Sequence, residues 1–260
     1  MSTPSRAWFR DPDFWDVMHP FAFPEARLDA ADGEVGALTE LVRRVAGVDV
    51  GGGTRVLDMP CGPGRHAVSL AEAGCEVVGV DLMPRHIDMA RARAEARGVD
   101  VDFRVGDMFA SSFPDDSFDL ALNLFTSIGY TDDPEDDYRL MCRIREALRP
   151  GGALVIDTMG KEVLARDFKS RRYFEAGGWV VHETVSVEDA WHRVVVELRF
   201  QRDGDERVAA FGHRVYGASD LARILVPAGF VVSFFGGLDG RPYDHDAERL
   251  VAVAVCSEDA

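Results

Sequence analysis

The sequence predicts an α/β fold. A doubly wound, mostly parallel seven-stranded sheet ends in an antiparallel hairpin and carries a small antiparallel β cap. Three observations predict it. From Thr54 to Asp157 short apolar runs alternate with longer helical patterns, a rhythm that gives parallel strands with helices on both faces. A glycine-rich turn, Cys61-Gly62-Pro63-Gly64, separates the first apolar run from the first helical one. From Trp179 the rhythm changes to strand-length runs joined by short turns, which marks an antiparallel meander.

The elements follow in chain order. Residues 1–50 open with aromatics (Trp8, Phe9, Phe14, Trp15, Phe21, Phe23) interrupted by Pro20 and Pro24. This stretch shows no helical stripe of its own, so it either docks as a lid that excludes water or packs on the core. Val35, Leu38, Leu41, Val42 and Val45 then recur at helical spacing before Gly51-Gly52-Gly53. Residues 51–160 form a ligand-binding core. Strands are expected at Arg55–Met59, Glu76–Val80, Val101–Val105, Phe118–Phe125 and Ala153–Asp157, with helices at Arg65–Ala73, Arg85–Arg97 and Pro134–Leu148. Asp133 is placed to cap the last helix, and Pro150-Gly151-Gly152 to stop it. Residues 161–217 hold the cap, with strands at Trp179–Val187, Trp191–Gln201 and Glu206–Tyr216. Residues 218–260 add a helix at Ser219–Val226 and a closing hairpin of Phe230–Phe235 and Arg249–Cys256.

Composition narrows the function. Of 260 residues, 47% are apolar and 28% charged, which is globular rather than disordered. The formal net charge of −16 disfavours a partner made of phosphates, so nucleic acid is not expected as a substrate. No apolar run approaches the length of about 18 residues that spans a bilayer. The first ten residues lack the apolar core of a secretory signal. Four scattered cysteines without a C-x-x-C pair suit free thiols in a reducing cytoplasm. Only two of the 29 basic residues are lysines, Lys161 and Lys169. That bias suggests a GC-rich, bacterial genome.

The densest signal is Val56-Leu57-Asp58-Met59-Pro60-Cys61-Gly62-Pro63-Gly64. A glycine turn at the carboxyl edge of a parallel sheet lets a ligand approach the backbone. Gly62-x-Gly64-x-x-Ala67 fits the dinucleotide pattern G-x-G-x-x-A loosely. Two features oppose a pyrophosphate there. Asp58 would meet it with like charge, and Pro63 removes one N–H from the anion cradle. A cationic ligand suits the site better. Asp81 ends the second strand, where an acid can accept ribose hydroxyls. Asp107 follows the third strand, where it can accept from an adenine amino group while Met108 and Leu82 pack on the ring.

With these residues the sequence resembles the class I S-adenosylmethionine-dependent methyltransferases, in their bacterial small-molecule branch. Asp58, Gly62 and Gly64 match the family's first motif, although Pro60 replaces its first glycine. Asp81 and Asp107 match its ribose and adenine acids, and Leu148-Arg149-Pro150-Gly151-Gly152 its turn before the fifth strand. The resemblance implies a Rossmann-like fold, S-adenosylmethionine as cofactor, S-adenosylhomocysteine as product and a small-molecule acceptor. It places Asn123, Leu124 and Phe125 beside the methionine moiety and Tyr130 in the acceptor pocket. Arg27 can reach the methionine carboxylate if the N-terminal stretch is a lid.

Methyl transfer chiefly needs alignment in a dry site, with a general base only when the nucleophile arrives protonated. Among seven histidines, His213 is the candidate base, with Tyr216 a candidate catalytic residue beside it, because the two lie where the cap returns to the core. A structural histidine is the alternative reading. His66 is placed to hydrogen-bond the glycine turn, and His86 on an exposed helix face. Asp244-His245-Asp246 lacks the spacing of a metal site, and no metal is expected. The cap's strand edges suit pairing into a homodimer. Two other functions remain open: an NAD(P)-dependent oxidoreductase, and a non-catalytic cofactor-binding protein.

Overall fold

The computed structural model describes residues 6–257, so the outermost parts of the first and last expected zones, 1–5 and 258–260, lie outside the described residues. Seven strands form the main sheet: β1 (Arg55–Asp58), β2 (Glu76–Asp81), β3 (Asp102–Val105), β4 (Phe118–Asn123), β5 (Leu148–Thr158), β10 (Phe230–Phe235) and β11 (Leu250–Cys256). Their spatial order is β10-β11-β5-β4-β1-β2-β3. Five strands run parallel, and β11 inserts antiparallel between β5 and β10. The order reverses at β1, so ligands are expected in the crevice beyond the carboxyl ends of β1 and β4.

Alternation along each strand builds two cores. Val56, Leu120, Val155 and Val253 face α3 (Ala31–Ala46), α4 (Arg65–Glu72) and α5 (Pro84–Arg97). Leu57, Ala121, Leu154 and Ala252 face α6 (Pro134–Ala147) and α8 (Ala218–Leu225). Strands covered on both faces read as the near-continuous apolar runs seen in the sequence. Asp133 caps α6 as expected, its Oδ1 accepting the Glu135 N–H at 3.0 Å with Pro134 at the first helical position.

The structure departs from the sequence reading in three elements. Pro150–Gly152 does not merely stop α6, because β5 already begins at Leu148 and runs through them. The aromatic stretch does form a helix, α1 (Pro12–Ala22), with Pro20 inside it. Phe14, Met18 and Phe21 recur at i, i+4 and i+7, and they pack with Trp8 and Phe9 against the cap. The cap has four strands, not three: β7 (Trp179–Glu188), β8 (Arg193–Arg202) and β9 (Asp205–Arg214) are joined by β6 (Arg171–Ala176), in the order β6-β7-β8-β9. Arg171 to Glu175 are all exposed, and an edge strand exposed in this way carries no alternating apolar signal. Two short helices, α2 (Glu25–Asp29) and α7 (Lys161–Arg166), complete the connections.

Candidate active site

A cavity of about 340 Å³ lies where the core, the cap and the N-terminal segment meet. Its floor is the glycine turn and the ends of β2 and β4. Gly62 takes φ +54°, and a Cβ there would lie 3.2 Å from the Phe23 ring on the cavity wall. Gly64 has a different task. Its φ is +75°, and a Cβ would come within 2.7 Å of Ala90 Cβ and 2.9 Å of Phe103. It lets α4 press against α5 and β3 and does not line the cavity.

Asp81 is the hub of the floor and only 7% exposed. Its Oδ2 accepts the Gly62 N–H at 2.9 Å, and its Oδ1 accepts the Met83 N–H at 2.9 Å. His86 Nδ1 lies 3.2 Å from the same Oδ1. His86 is therefore not on an exposed face. It is buried and lines the cavity, because α5 turns its first-turn side chains back toward the end of β2. His66 bonds Glu34 Oε2 at 2.7 Å rather than the glycine turn.

The other two acids sit differently. Asp58 is buried behind the cavity wall, with Oδ2 unpartnered. Burial, reinforced by nearby Asp81 and opposed by Arg65, pushes it up to about 7, so its charge is only partly developed at neutral pH. Asp107 lines the cavity, but Arg10 donates to its Oδ2 at 2.6 Å while Oδ1 accepts the Phe109 N–H at 2.9 Å. Of the three acids at the strand ends, Asp81 and Asp107 thus line the cavity, Asp81 held by backbone N–H groups and Asp107 paired with Arg10, while Asp58 lies behind. Leu82, Met108 and Pro60 lie on the cavity wall.

Beyond β4, Leu124 and Phe125 reach the cavity, whereas Asn123 does not. Asn123 is fully buried and donates through Nδ2 to the Met59 carbonyl at 3.0 Å, joining the ends of β4 and β1. Phe125 and Thr126 both hold left-handed backbone, φ +63° and +62°. Such residues persist only when their surroundings fix them. Asp157 does this: its Oδ2 accepts the Phe125 N–H at 3.1 Å and its carbonyl accepts the Thr126 N–H at 2.8 Å. Arg249 grips Asp157 with two bonds of 2.7 and 2.9 Å and also donates to Thr126 Oγ1. Arg27, Arg65 and Arg249 stand 4.4, 5.1 and 5.5 Å from the Phe125 ring centre.

The roof comes from the N-terminal segment and the cap. Trp8 Nε1 donates to the Gly212 carbonyl at 2.8 Å, and its ring packs on Tyr130 and Phe211 at 4.8 and 5.2 Å. The segment therefore packs on the cap, rather than on the core alone, and supplies part of the cavity wall. His213 lines the cavity from β9. Its Nδ1 lies 3.1 Å from the Arg214 carbonyl, which can only accept. The proton therefore sits on Nδ1 and the lone pair on Nε2. Burial, with Arg193 adding to it, holds this histidine below its ordinary range and hence neutral.

Tyr130 also faces the cavity, and burial pushes its phenol up to about 12, so it keeps its proton. Tyr216 does not reach the cavity. It donates to fully buried Asp137, whose Oδ1 accepts the Gly129 N–H at 3.2 Å. A Cβ at Gly129 would lie 2.6 Å from the Arg214 carbonyl. Tyr216 thus positions the turn before Tyr130. Asp244, His245 and Asp246, none of which lines the cavity, bring their ligand atoms within 4.8 Å, closer than their spacing suggests, but all three are exposed.

Residues 56–152 match the family model described as a methyltransferase domain. Residues 56–152 are thus a methyltransferase domain. The chain is 35% identical over 109 residues to a ubiquinone biosynthesis O-methyltransferase of Cereibacter sphaeroides, a match that covers 42% of each chain. The chain therefore spans less than half the length of the curated relatives it matches. An S-adenosylmethionine-dependent methyltransferase of Clostridium acetobutylicum superposes over 94% of this chain and 98% of its own, with TM-score 0.77 and 16% identity. A sugar N-methyltransferase of Streptoalloteichus superposes over 86% of this chain and 88% of its own, with TM-score 0.61 and 25% identity. The methyltransferase domain holds the cavity floor, while the roof lies outside the matched residues.

Proposed function

We propose that this protein transfers a methyl group from S-adenosylmethionine to an oxygen or nitrogen of a small-molecule acceptor. The observation that carries the reading is one continuous cavity. It runs from Asp81 and Asp107 at the core edge to Tyr130 and His213 under the cap. Its volume suits a small-molecule site. The fit on the cofactor side rests on the Gly62 cradle and on Asp81, whose carboxylate faces the cavity beside it. When bound, S-adenosylmethionine supplies a methyl on a positively charged sulfonium, already activated for displacement.

The chain's own residues do the rest. Asp81 accepts ribose hydroxyls, and Asp107 accepts from the adenine amino group once Arg10 yields. Leu82 and Met108 flank the ring. Pro60, Gly62, Leu124 and Phe125 line the methionine end, while Asp58, Gly64 and Asn123 hold that floor from behind. Trp8 and Phe9 exclude water. His213 Nε2 takes the proton of a hydroxyl or ammonium acceptor, and Tyr130 donates a hydrogen bond to it.

The named relatives include an O-methyltransferase and a sugar N-methyltransferase, which is why both attacked atoms stay within the proposal. Four free cysteines support a cytoplasmic location. Among the described residues no helix is long and apolar enough to cross a membrane, and the acidic charge disfavours nucleic acid. Calorimetric titration tests the reading. S-adenosylhomocysteine should bind and NAD should not, and a panel of amines and alcohols should include one that drives its release. Binding of NAD alone would overturn the proposal.

A further inference from the structure

The cap ends in a strand that has a partner on one side only. Among the described residues, β6 pairs with β7, and no strand occupies its outer edge. That edge is unusual in what it displays. Tyr173 and Phe174 are 63% and 40% exposed, and they stand between Arg171-Arg172 and Glu175. Free edges are normally blunted by like charges or proline. Here the charges are of both signs and placed at opposite ends.

We propose that β6 is a self-association surface, pairing antiparallel with β6 of a second copy of this chain about a two-fold axis at Tyr173. The order of residues specifies this occupant. In an antiparallel pair centred on Tyr173, Arg171 stands opposite the second copy's Glu175, and Glu175 opposite its Arg171. Arg172 stands opposite Phe174, and Tyr173 opposite itself. A two-fold contact must be self-complementary, and this one is: two opposite-charge pairs, two arginine–aromatic pairs and one aromatic pair.

The existing register supports the same arrangement. Arg172 opposes Glu183 and Tyr173 opposes His182 across β7, with the Tyr173 and His182 rings 5.2 Å apart. The strand is therefore already pleated, with Arg171, Tyr173 and Glu175 on one face and Arg172 and Phe174 on the other. On the inner face Phe174 opposes fully buried Val181. A second copy would continue that apolar layer across the axis. The two four-stranded sheets would become one of eight strands. Pairing by one residue more or less would turn Arg171 away from Glu175, so the charges also set the register.

The mass of the full chain in solution, followed across concentration by analytical ultracentrifugation, tests this. The expected species is a dimer. Arg171→Glu places glutamate opposite glutamate at both ends of the contact and should weaken association about 10-fold or more. The exchange Arg171→Glu with Glu175→Arg restores both pairs and should recover the dimer. Tyr173→Cys should cross-link two copies on oxidation, because that position meets itself, whereas Arg171→Cys should not. A monomer at every concentration overturns the proposal. So does a dimer indifferent to charge reversal, since it must use another surface. The result is independent of the methyl-transfer reading, because the strand is remote from the cavity-lining residues. S-adenosylhomocysteine affinity of each variant checks that the fold is intact.

Discussion

On the core side of the cavity, backbone holds the functional groups. The Gly62 and Met83 amides fix the Asp81 carboxylate, and the Phe109 amide fixes Asp107. On the lid-and-cap side, side chains hold one another: Trp8 rests on Tyr130, Phe14 and Phe211, and one indole bond ties it to a carbonyl 204 residues away. The core wall is thus built from short turns that any acceptor would find unchanged. The other wall is an aromatic assembly whose shape depends on which large side chains meet. Under the proposed function, that division places cofactor recognition in the part set by local backbone geometry and acceptor choice in the part set by packing.

The sharpest way to break the division is to attack the core wall where no side chain touches ligand. Gly64→Ala should cost about 3 kcal/mol of stability, since left-handed backbone and two contacts under 3.0 Å both oppose it. Gly151→Ala should cost only about 1 kcal/mol, because its φ is also positive but nothing lies within 4 Å. Thermal unfolding of the two variants checks the ordering. On the opposite wall, His213→Gln should lower turnover about 10²-fold and leave S-adenosylhomocysteine affinity unchanged. If its lone pair is the base, the acid limb of turnover lies below its ordinary range near pH 6.5, because burial lowers its pKa. Activity should then fall only as pH drops through that lowered value. The stability contributed by the buried neutral imidazole follows the same sign, present above the unfolded pKa and lost below it. Equal loss of turnover and affinity would mean that the histidine shapes the whole cavity. Asp81→Asn should weaken S-adenosylhomocysteine binding about 10-fold, measured by calorimetry.

The same contrast explains what could be read in the sequence. Strand ends, the glycine turn and α6 with its cap are local, and residues 55 to 157 disclosed them through spacing alone. Asp81 was legible because a strand end and a turn meet there. The burial of His86 was not, because it depends on α5 folding its first turn over β2 and under the N-terminal aromatics, with Trp15 and Phe23 packed 5.2 and 5.3 Å away. Arg249 reads in the sequence only as the first residue of the last strand, since its grip on Asp157 joins residues 92 apart. The exposed strand β6 left no apolar pattern to find. Asp58 was identified by position, yet its partial protonation follows from burial that one sequence does not report.

The smallest expected effect lies at the seam between the two walls. Arg10 belongs to the roof and Asp107 to the floor, and their 2.6 Å ion pair occupies the oxygen proposed to receive the adenine amino group. The arginine is half exposed, 49% against 16% for the aspartate, so solvent screening limits the pair to about 1 kcal/mol or less. If the pair competes with the cofactor, Arg10→Ala should tighten S-adenosylhomocysteine binding roughly two- to five-fold. The gain should shrink as salt is added, since screening already weakens the competitor in the parent protein. Weaker binding in the variant would give the opposite lesson. Arg10 would then be a latch that holds the roof over a bound cofactor, and cofactor recognition would extend across both walls.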